Sequence, residues 1–497
     1  MTEYTNQTNF DEYAAAREQF EKLMGELRAE SAQKLDHGEV EALIGREGTE
    51  LLRRLMQGHL DQRAREEERL DSVVGADGER RAHCRERSRA LATVFGEVRV
   101  RRLGYSGAGL NSEFPLDAAL NLPPDKYSQG LRRKVGWEVA KGSFEEAVKA
   151  VEEGTGGGVP KRQAEQVARA LSVDFEAYYE SKPREEGSGL LVMSVDGKGV
   201  VMRQQDLREA TRKAAERSTH KLKTRLSRGE KRNRKRMSTV ASVYEVDPYW
   251  RTAEHVIGEA KNEATKRPAV RHKRVWASLR QPPAEVIEQM FAEAQRRDPQ
   301  HKRTWLVLVD GQEMQLRDVQ AAIARYRSDV VVIQDFVHAL EYLWKAAYCF
   351  HPPGTEEAET WVREHALALL TGKLSEVAAG MRRSATRRGL SPQARAPVDK
   401  CADYLLKNKE RFDYATALAN GWPIATGIIE GACRHVVKDR MDLTGARWSL
   451  EGAEAVLRLR ALHASGDFDD YMAFHYRQEH QRNYGSVSQD DELTMAA

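Results

Sequence analysis

Between residues 188 and 350, the spacing of the apolar positions alternates between two periods. Five short apolar runs, LLVMSV, TVASVYEV, RVWASL, TWLVLV and VVVIQ, are typical of buried strands. The segments PPAEVIEQMFAEAQRR, VQAAIARY and HALEYLWKAAYCF carry the wider spacing of helices. The pattern therefore predicts three strands in succession, followed by helices that alternate with two further strands.

The chain before this region carries other patterns. Residues 1–93 predict a helical arm, from the stripes in FDEYAAAREQFEKLMGELRAE and EVEALIGREGTELLRRLMQGHL. From Val94 onward, VFGEVRVRRLGY alternates apolar and basic residues with the period of a half-exposed strand. Residues 94–180 continue with helical segments, and SKPREEGSGL then has the composition of a linker.

Three short helices predicted within residues 94–180 fit a helix-turn-helix. Ser143 and Glu146 have the spacing of a capping box at the start of the middle helix. Pro160 suits a first helical turn. The final helix then begins with polar and basic side chains that could read DNA bases: Lys161, Arg162, Gln163 and Gln166. An unspecialised helical bundle is the alternative.

The order of elements after residue 188 is that of a ribonuclease-H-like core, in which an antiparallel ribbon is joined to parallel strands by helices. Asp196 is predicted to end the first strand and Asp310 the fourth, and a glycine follows each. The first and fourth strands of such a core are neighbours, so the two carboxylates would face each other. A bridging cation would offset their repulsion, and hard oxygen ligands suit Mg²⁺ or Mn²⁺. An ordinary strand end followed by a glycine turn is the alternative for either aspartate taken alone.

A third acid is expected from a helix after the fifth strand. In GWPIATGIIEGACRHVVKDRMDLTGARWS, Thr426 suits an N-cap and Glu430 lies near the first turn. Arg434 and Lys438 follow at four-residue intervals on the same predicted face, as phosphate contacts or supporting groups. A surface glutamate in a row of helical ion pairs is the alternative.

Three further features near these acids carry two interpretations each. Asp335 and His338, three residues apart after the fifth strand, either support the carboxylates or form a helix N-cap and a buried histidine. Residues 203–237 hold fourteen Lys and Arg against four Asp and Glu, either as a phosphate-binding arm or as a solvated charge run. Trp448 either stacks on an unpaired base or belongs to the core.

Composition narrows the class of protein. Of the 497 residues, 40% are hydrophobic and 31% are charged, and no apolar run has the length of a membrane span. The N-terminus carries no signal-peptide pattern, so a cytoplasmic, nucleoid-associated protein is expected. The net charge of +3 comes from 79 basic and 76 acidic residues, so only local basic patches indicate a nucleic-acid partner. Four scattered cysteines predict reduced thiols.

Four segments together resemble the ISKra-type insertion-sequence transposases of bacteria, which are similar to the wider DDE transposases and their Mutator-like group. They are SVDGKGVVMR, KLKTRLSRGEKRNRKRMSTVASVYEVDPYWRTAE, VLVDGQ with QDFVHALEYLW, and IEGACRHVVKDRMDLTGARWS. The resemblance covers residues from about 94 to 475. Relatives often carry a cysteine pair near SGAGLNSEFPLD that suggests a zinc knuckle. This chain has no cysteine there, so no zinc site is expected.

The resemblance implies a role for each candidate acid. Asp196 and Asp310 would be the first and second catalytic aspartates, Glu430 the catalytic glutamate, and Asp335 with His338 the Asp-x-x-His signature. It also implies a helical insertion over residues 351–421 between two parts of the core, 188–350 and 422–475. Residues 476–497 are expected to form a disordered tail.

The sequence thus predicts a DNA transposase that binds the terminal inverted repeats of its element and cleaves and transfers strands with Mg²⁺, or with Mn²⁺ in its place. The expected partners are element ends and target DNA, without a membrane, and a homodimer or larger homo-oligomer. The expected metal ligands are Asp196, Asp310 and Glu430. Besides the residues of the predicted helix-turn-helix, the expected DNA contacts are Lys231, Arg232, Arg234, Lys235, Arg236 and Trp448. The alternatives are a non-catalytic DNA-binding protein derived from such an element, and a nuclease or resolvase that does not transfer strands.

Overall fold

A computed structural model describes residues 11–75, 77–183, 187–217, 234–258, 266–326, 329–443 and 445–485. The chain divides into two compact units. The first comprises the residues up to Ser181 together with those from Phe468 onward, and the second comprises Lys182–Asp467. In the described residues, no helix is long and apolar enough to cross a membrane.

The first unit combines a helical hairpin, a long β-hairpin and a helical bundle. Its described strands are β1 (Val73–Val74), β2 (Arg80–Arg81), β3 (His83–Thr93) and β4 (Gly96–Ser106). Its α-helices are Ala14–Arg28, His37–Arg65, Pro115–Ala119, Gln129–Lys141, Phe144–Gly154, Lys161–Leu171, Phe175–Ser181 and Phe468–Tyr484. The capping box of Ser143 and Glu146 is confirmed at the helix Phe144–Gly154.

The prediction of a wholly helical arm up to residue 93 is wrong beyond the helix His37–Arg65. β3 pairs antiparallel with β4 from His83 opposite Ser106 to Thr93 opposite Gly96. The boundary predicted between residues 93 and 94 therefore lies in the turn of one hairpin. The stretch HCRERSRALAT is polar on its exposed positions and lacks a strong period, so its strand depends on pairing with β4, which does show the alternation: Val98 and Val100 are buried.

The second unit is built on a five-stranded mixed sheet. The strands are β5 (Leu190–Val201), β6 (Lys235–Val246), β7 (Arg271–Ser278), β8 (Trp305–Val309) and β9 (Val330–Gln334). The spatial order is β7-β6-β5-β8-β9. β5, β6 and β7 are antiparallel neighbours, whereas β8 runs parallel to β5 and to β9. The predicted order of elements and the adjacency of the first and fourth strands are confirmed.

Helices surround this sheet. Its described α-helices are Glu209–Arg217, Ala253–Ile257, Pro283–Arg297, Glu313–Tyr326, Phe336–Ala347, Glu356–Leu370, Leu374–Arg387, Pro392–Lys407, Tyr414–Ala419, Gly427–Ala432, Asp439–Met441 and Leu450–Ser465. The segment 351–421 is helical, as expected, and its apolar side chains share one core with the even-numbered residues Leu190, Val192, Leu306 and Leu308 of the sheet. This shared core fixes which face of the sheet the insertion covers.

The C-terminal boundary differs from the prediction. The expected second part of the core, 422–475, ends instead with the helix Leu450–Ser465, because Phe468–Tyr484 belongs to the first unit. Tyr471 donates a hydrogen bond of 2.6 Å to the carbonyl of Leu171, and Glu479 pairs with the fully buried Arg132. Residues 476–484 are therefore helical rather than a disordered tail, and residues 486–497 lie outside the described residues.

Candidate active site

Asp196 and Asp310 lie at equivalent positions beyond the same parallel ladder. The pairing of β5 with β8 ends with Ser194 opposite Leu308, and each aspartate is two residues further along. Side chains two residues apart in a strand point to the same face. The carboxylate of Asp196 therefore extends the face on which Leu308 packs against the helical insertion, and Asp310 directly follows the last residue of β8.

The prediction that Asp196 ends its strand is corrected. β5 continues to Val201 and keeps its pairing with β6, with Asp196 opposite Val240. Only the parallel neighbour stops, because β8 ends at Val309 and Gly311 turns the chain with a φ of +91°. Asp196 is thus held in a continuous antiparallel ribbon, whereas Asp310 begins a loop and caps it by accepting the amide of Gln312 at 3.0 Å.

The electrostatics of Asp310 reflect the proximity of the two acids. Burial raises the pKa of the Asp310 carboxyl, and the negative charge of Asp196 raises it further. The hydrogen bond from Gln312 and the nearby His338 oppose that rise in pKa. A cation placed between the two carboxylates would relieve both the desolvation and the repulsion.

Glu430 is exposed on the short helix Gly427–Ala432, which packs against β5. Thr426 is its N-cap residue, as predicted, but the hydroxyl of Thr426 donates to Oε1 of Glu430 at 3.1 Å instead of capping a backbone amide. From Cys433 to Lys438 the helix continues with π geometry. Such turns are rare and occur often at functional sites.

Cys433 lies near the acids and was not predicted from the sequence. Its thiol is buried and donates to Oδ2 of Asp196 over 3.2 Å. Burial raises the pKa of the Cys433 thiol, and Asp196 and Glu430 raise it further. The residue is therefore a protonated donor that also reports the proximity of both acids. The sequence indicated its proximity to Glu430 only by their spacing of three residues, which places both on one side of a helix. Cys433 does not belong to a cysteine pattern typical of metal sites or disulfides.

Asp335 is an N-cap residue with an additional contact. Its carboxylate accepts hydrogen bonds from the amides of Val337 and His338, at 3.3 and 3.0 Å, and also from Thr426 at 3.0 Å. Asp335 is buried at the end of the edge strand β9, one strand further from Asp196 than Asp310 is. The structure thus places it as a support for the loop that carries Glu430.

His338 lies beside an aromatic pair contributed by the core and the insertion. Its ring makes edge contacts with Tyr342 and Tyr404, which are stacked with ring centroids 4.1 Å apart. Tyr404 accepts a hydrogen bond from Gln334 at 2.8 Å and donates to the carbonyl of Asp310 at 3.4 Å. The insertion therefore contacts the backbone of one candidate acid directly. Gln334 and Tyr404 were not predicted.

The remaining candidates near the glutamate separate into two environments. Arg434 and Lys438 are exposed on the π-helical turn, and Arg434 lies 3.8 Å from Asp439. Trp448 is instead 7% exposed, donates its indole N–H to the carbonyl of Met441, and is covered by Arg440. The prediction that Trp448 stacks on a base is therefore corrected: it belongs to the core.

The basic arm is described only at its ends. Lys231 and Arg232 lie outside the described residues. Arg234 and Lys235 are partly exposed beside the start of β6. Arg236 donates to the carbonyls of Leu279 and Asp206, at 2.8 and 3.2 Å. It therefore joins β6 to two neighbouring segments, which corrects its assignment as a free phosphate contact.

In the first unit, the helix Lys161–Leu171 is amphipathic. Ala164, Val167, Ala168 and Leu171 are buried. Lys161, Arg162 and Gln166 are exposed, whereas Gln163 is half-buried at the edge of the buried side, one helical turn before Val167. The side chains proposed to read bases are thus available to a partner.

Among the described residues, no group of three or more His, Cys, Asp or Glu side chains is arranged to hold a metal ion. The donor chemistry of Asp196 and Asp310 nevertheless fits a hard divalent cation, because two neighbouring carboxylates repel each other in a partly buried site. Glu430 is hydrogen-bonded to Thr426 and would have to turn from it to become a third ligand. No protein-family model matches the chain, and no curated protein matches it.

Proposed function

We propose that this protein is a DNA transposase of the ribonuclease-H-like DDE class, which binds the ends of an insertion sequence and catalyses strand cleavage and strand transfer. The observation that carries the proposal is the pair Asp196 and Asp310, set side by side where the parallel ladder of β5 and β8 stops. The strand order β7-β6-β5-β8-β9 is the order expected of this class of core.

The third acid supports the same function. Glu430 comes after the helical insertion in the chain, on the helix Gly427–Ala432, and this helix packs against β5. Its electrostatic effect on Cys433, whose thiol also contacts Asp196, supports a position for Glu430 close to the first aspartate. Three acids supplied by two neighbouring strands and one helix are the ligand set expected of the class.

Asp196, Asp310 and Glu430 would hold Mg²⁺ or Mn²⁺. When bound, such ions lower the pKa of an attacking water or 3′-hydroxyl and stabilise the leaving oxygen of a phosphodiester. The protein's own groups would orient the DNA around them. Lys198, two residues beyond Asp196 on β5, and the exposed Arg434 and Lys438 would bind backbone phosphates.

The two basic regions would divide the recognition of DNA between them. The exposed start of the helix Lys161–Leu171 suits base reading in a major groove. The segment 203–237, which follows Asp196 in the chain, carries a strong excess of positive charge and suits sequence-independent phosphate binding. Base reading would select the element ends, and phosphate binding would hold the strand to be cut.

The direct experiment incubates the full-length protein with labelled element ends, target DNA and Mg²⁺. Cleavage followed by joining to the target is the expected result. Cleavage without joining would identify a nuclease or resolvase. Binding without cleavage, in Mg²⁺ and in Mn²⁺, would overturn the proposal in favour of a non-catalytic DNA-binding protein.

A further inference from the structure

Among the described residues, no element covers one face of the helix His37–Arg65, the second helix of the first unit, over most of its length. Residues that are exposed or half-exposed recur on it at intervals of three and four positions: Ile44, Gly48, Leu52, Leu55 and His59. Ile44, Leu52 and Leu55 are 46%, 45% and 39% exposed. Residues at this spacing share one side of a helix, so they form a continuous stripe, here called the Leu52 stripe.

Two described elements contact other sides of this helix. The helix Ala14–Arg28 lies along the side of Glu47 and Arg54, which bind Gln19 and the carbonyl of Ala15. The edge of β4 lies along the side of Gln57, whose amide group both donates to and accepts from the backbone of Arg99. The Leu52 stripe is directed away from both.

The charges at the two ends of the stripe are opposite in sign. Glu41 and Arg63 each lie eleven residues from Leu52, on either side. Eleven residues are close to three helical turns, so both side chains fall on the same face as Leu52. Glu41 is strongly exposed, with His37 4.0 Å away. An acidic end and a basic end make this surface complementary to itself when two copies run in opposite directions.

The centre of the stripe also permits close approach. A methyl group added at Gly45 or Gly48 would meet nothing within 4 Å. Glycines at these positions leave a shallow depression between Ile44 and Leu52. In an antiparallel pair centred on Leu52, the two leucines meet each other.

We infer that the Leu52 stripe pairs with the same stripe of a second copy of this chain, antiparallel and centred on Leu52, with Glu41 of each copy opposite Arg63 of the other. A two-fold axis passes through the Leu52 pair, and the interface is closed and isologous. The inference depends on the helix His37–Arg65 alone and is independent of the proposed function.

Sedimentation equilibrium of the full-length protein without DNA tests the pairing. The wild-type chain should be a dimer at micromolar concentration, and Leu52→Glu should be a monomer, because it sets two carboxylates against each other at the axis. Leu70→Glu is the matched control, since Leu70 is also 45% exposed in the first unit but lies outside the stripe. It should leave the dimer intact.

Charge exchange tests the register without disturbing the fold, since neither side chain is buried. Glu41→Arg alone and Arg63→Glu alone should each raise the dimer dissociation constant roughly threefold to tenfold, the scale of two exposed ion pairs turned into repulsive ones. The double variant should return it to the wild-type value. A monomeric wild-type protein, a dimer that survives Leu52→Glu, or a double variant weaker than either single one would overturn the inference.

Discussion

The backbone amide of Thr426 donates a hydrogen bond of 3.0 Å to the buried carboxylate of Asp335, across ninety-one residues of sequence. The hydroxyl of the same threonine donates to Glu430. The N-cap residue of the helix Phe336–Ala347 thereby holds the loop from which the helix Gly427–Ala432 begins. Asp335 is thus linked to Glu430 through Thr426. His338 is linked to Asp310 through Tyr404, which contacts the ring of His338 and donates a hydrogen bond to the carbonyl of Asp310.

Replacing Asp335 by Ala should reduce cleavage without abolishing it, whereas Asp310→Ala should remove all detectable cleavage. Asp335→Ala should also destabilise the protein, because it removes a cap that contributes about 0.5–2 kcal/mol and leaves the buried amide of Thr426 unpaired. Thermal unfolding and a cleavage assay measure the two effects. Asp413→Ala is the matched control, because Asp413 caps the helix Tyr414–Ala419 in the insertion. It should lower stability and leave cleavage by the folded protein unchanged.

Replacing Mg²⁺ by Mn²⁺ distinguishes the proposed metal ligand Asp310 from the supporting residue Asp335. Thiolates accept Mn²⁺ better than Mg²⁺. Asp310→Cys should therefore recover part of its cleavage in Mn²⁺, and Asp335→Cys should gain nothing beyond the wild-type response to Mn²⁺. Recovery confined to position 335 would move the metal site to β9 and contradict the assignment.

Cys433→Ala should raise the Mg²⁺ concentration needed for half-maximal cleavage about fivefold. The thiol holds Oδ2 of Asp196 in place, and a hydrogen bond of this kind contributes about 1 kcal/mol. Cys433→Ser keeps a donor and should remain close to wild type. Cys401→Ala, a buried cysteine in the helical insertion, controls for reduced packing. An unchanged Mg²⁺ titration in Cys433→Ala would show that the thiol only fills space.

The order of strands was predictable because each buried strand is a compact apolar run with a clear boundary. The adjacency of Asp196 and Asp310 followed from that order, whereas the continuation of β5 beyond Asp196 did not. β3 was not predictable from its own residues, since its apolar period is weak and its pairing with β4 decides its conformation. The role of Cys433 depends on how a helix from the C-terminal part of the chain packs on β5. The hydrogen bond from its thiol to Asp196 joins residues 237 positions apart. The burial of Trp448 depends likewise on tertiary packing, including its backbone pairing with Met202.

Neutralising Lys231, Arg232, Arg234 and Lys235 with Gln should weaken binding to any DNA sequence. It should also flatten the dependence of log K on log salt by roughly 0.9 for each phosphate that the arm no longer neutralises. Arg236→Gln is the comparison, because Arg236 is engaged with two backbone carbonyls. It should lower thermal stability and leave the salt slope unchanged. If the dependence of log K on log salt were unchanged in the fourfold variant, the arm would be a solvated segment that does not bind DNA.

Arg162→Ala and Gln163→Ala should change the preference among end sequences more than they change binding to random DNA. Both lie in the first turn of the helix Lys161–Leu171, Arg162 exposed and Gln163 half-buried. Removing a side chain that reads a base costs about 1–3 kcal/mol of discrimination. Competition binding against a library of end variants measures the preference. Lys149→Ala, on the exposed side of the preceding helix, should act equally on all sequences or not at all. Uniform weakening by Arg162→Ala would assign that residue to phosphate binding.

The variant Asp196→Asn shows whether Asp196 acts at a metal-dependent cleavage site. Cleavage of labelled element ends in Mg²⁺ and binding to the same ends are measured on one preparation of the full-length variant. We expect no detectable cleavage and a binding constant within about twofold of wild type, because a carboxylate facing a phosphate does not attract DNA. Retained cleavage would contradict the account, and so would an equal loss of cleavage and binding with the fold intact.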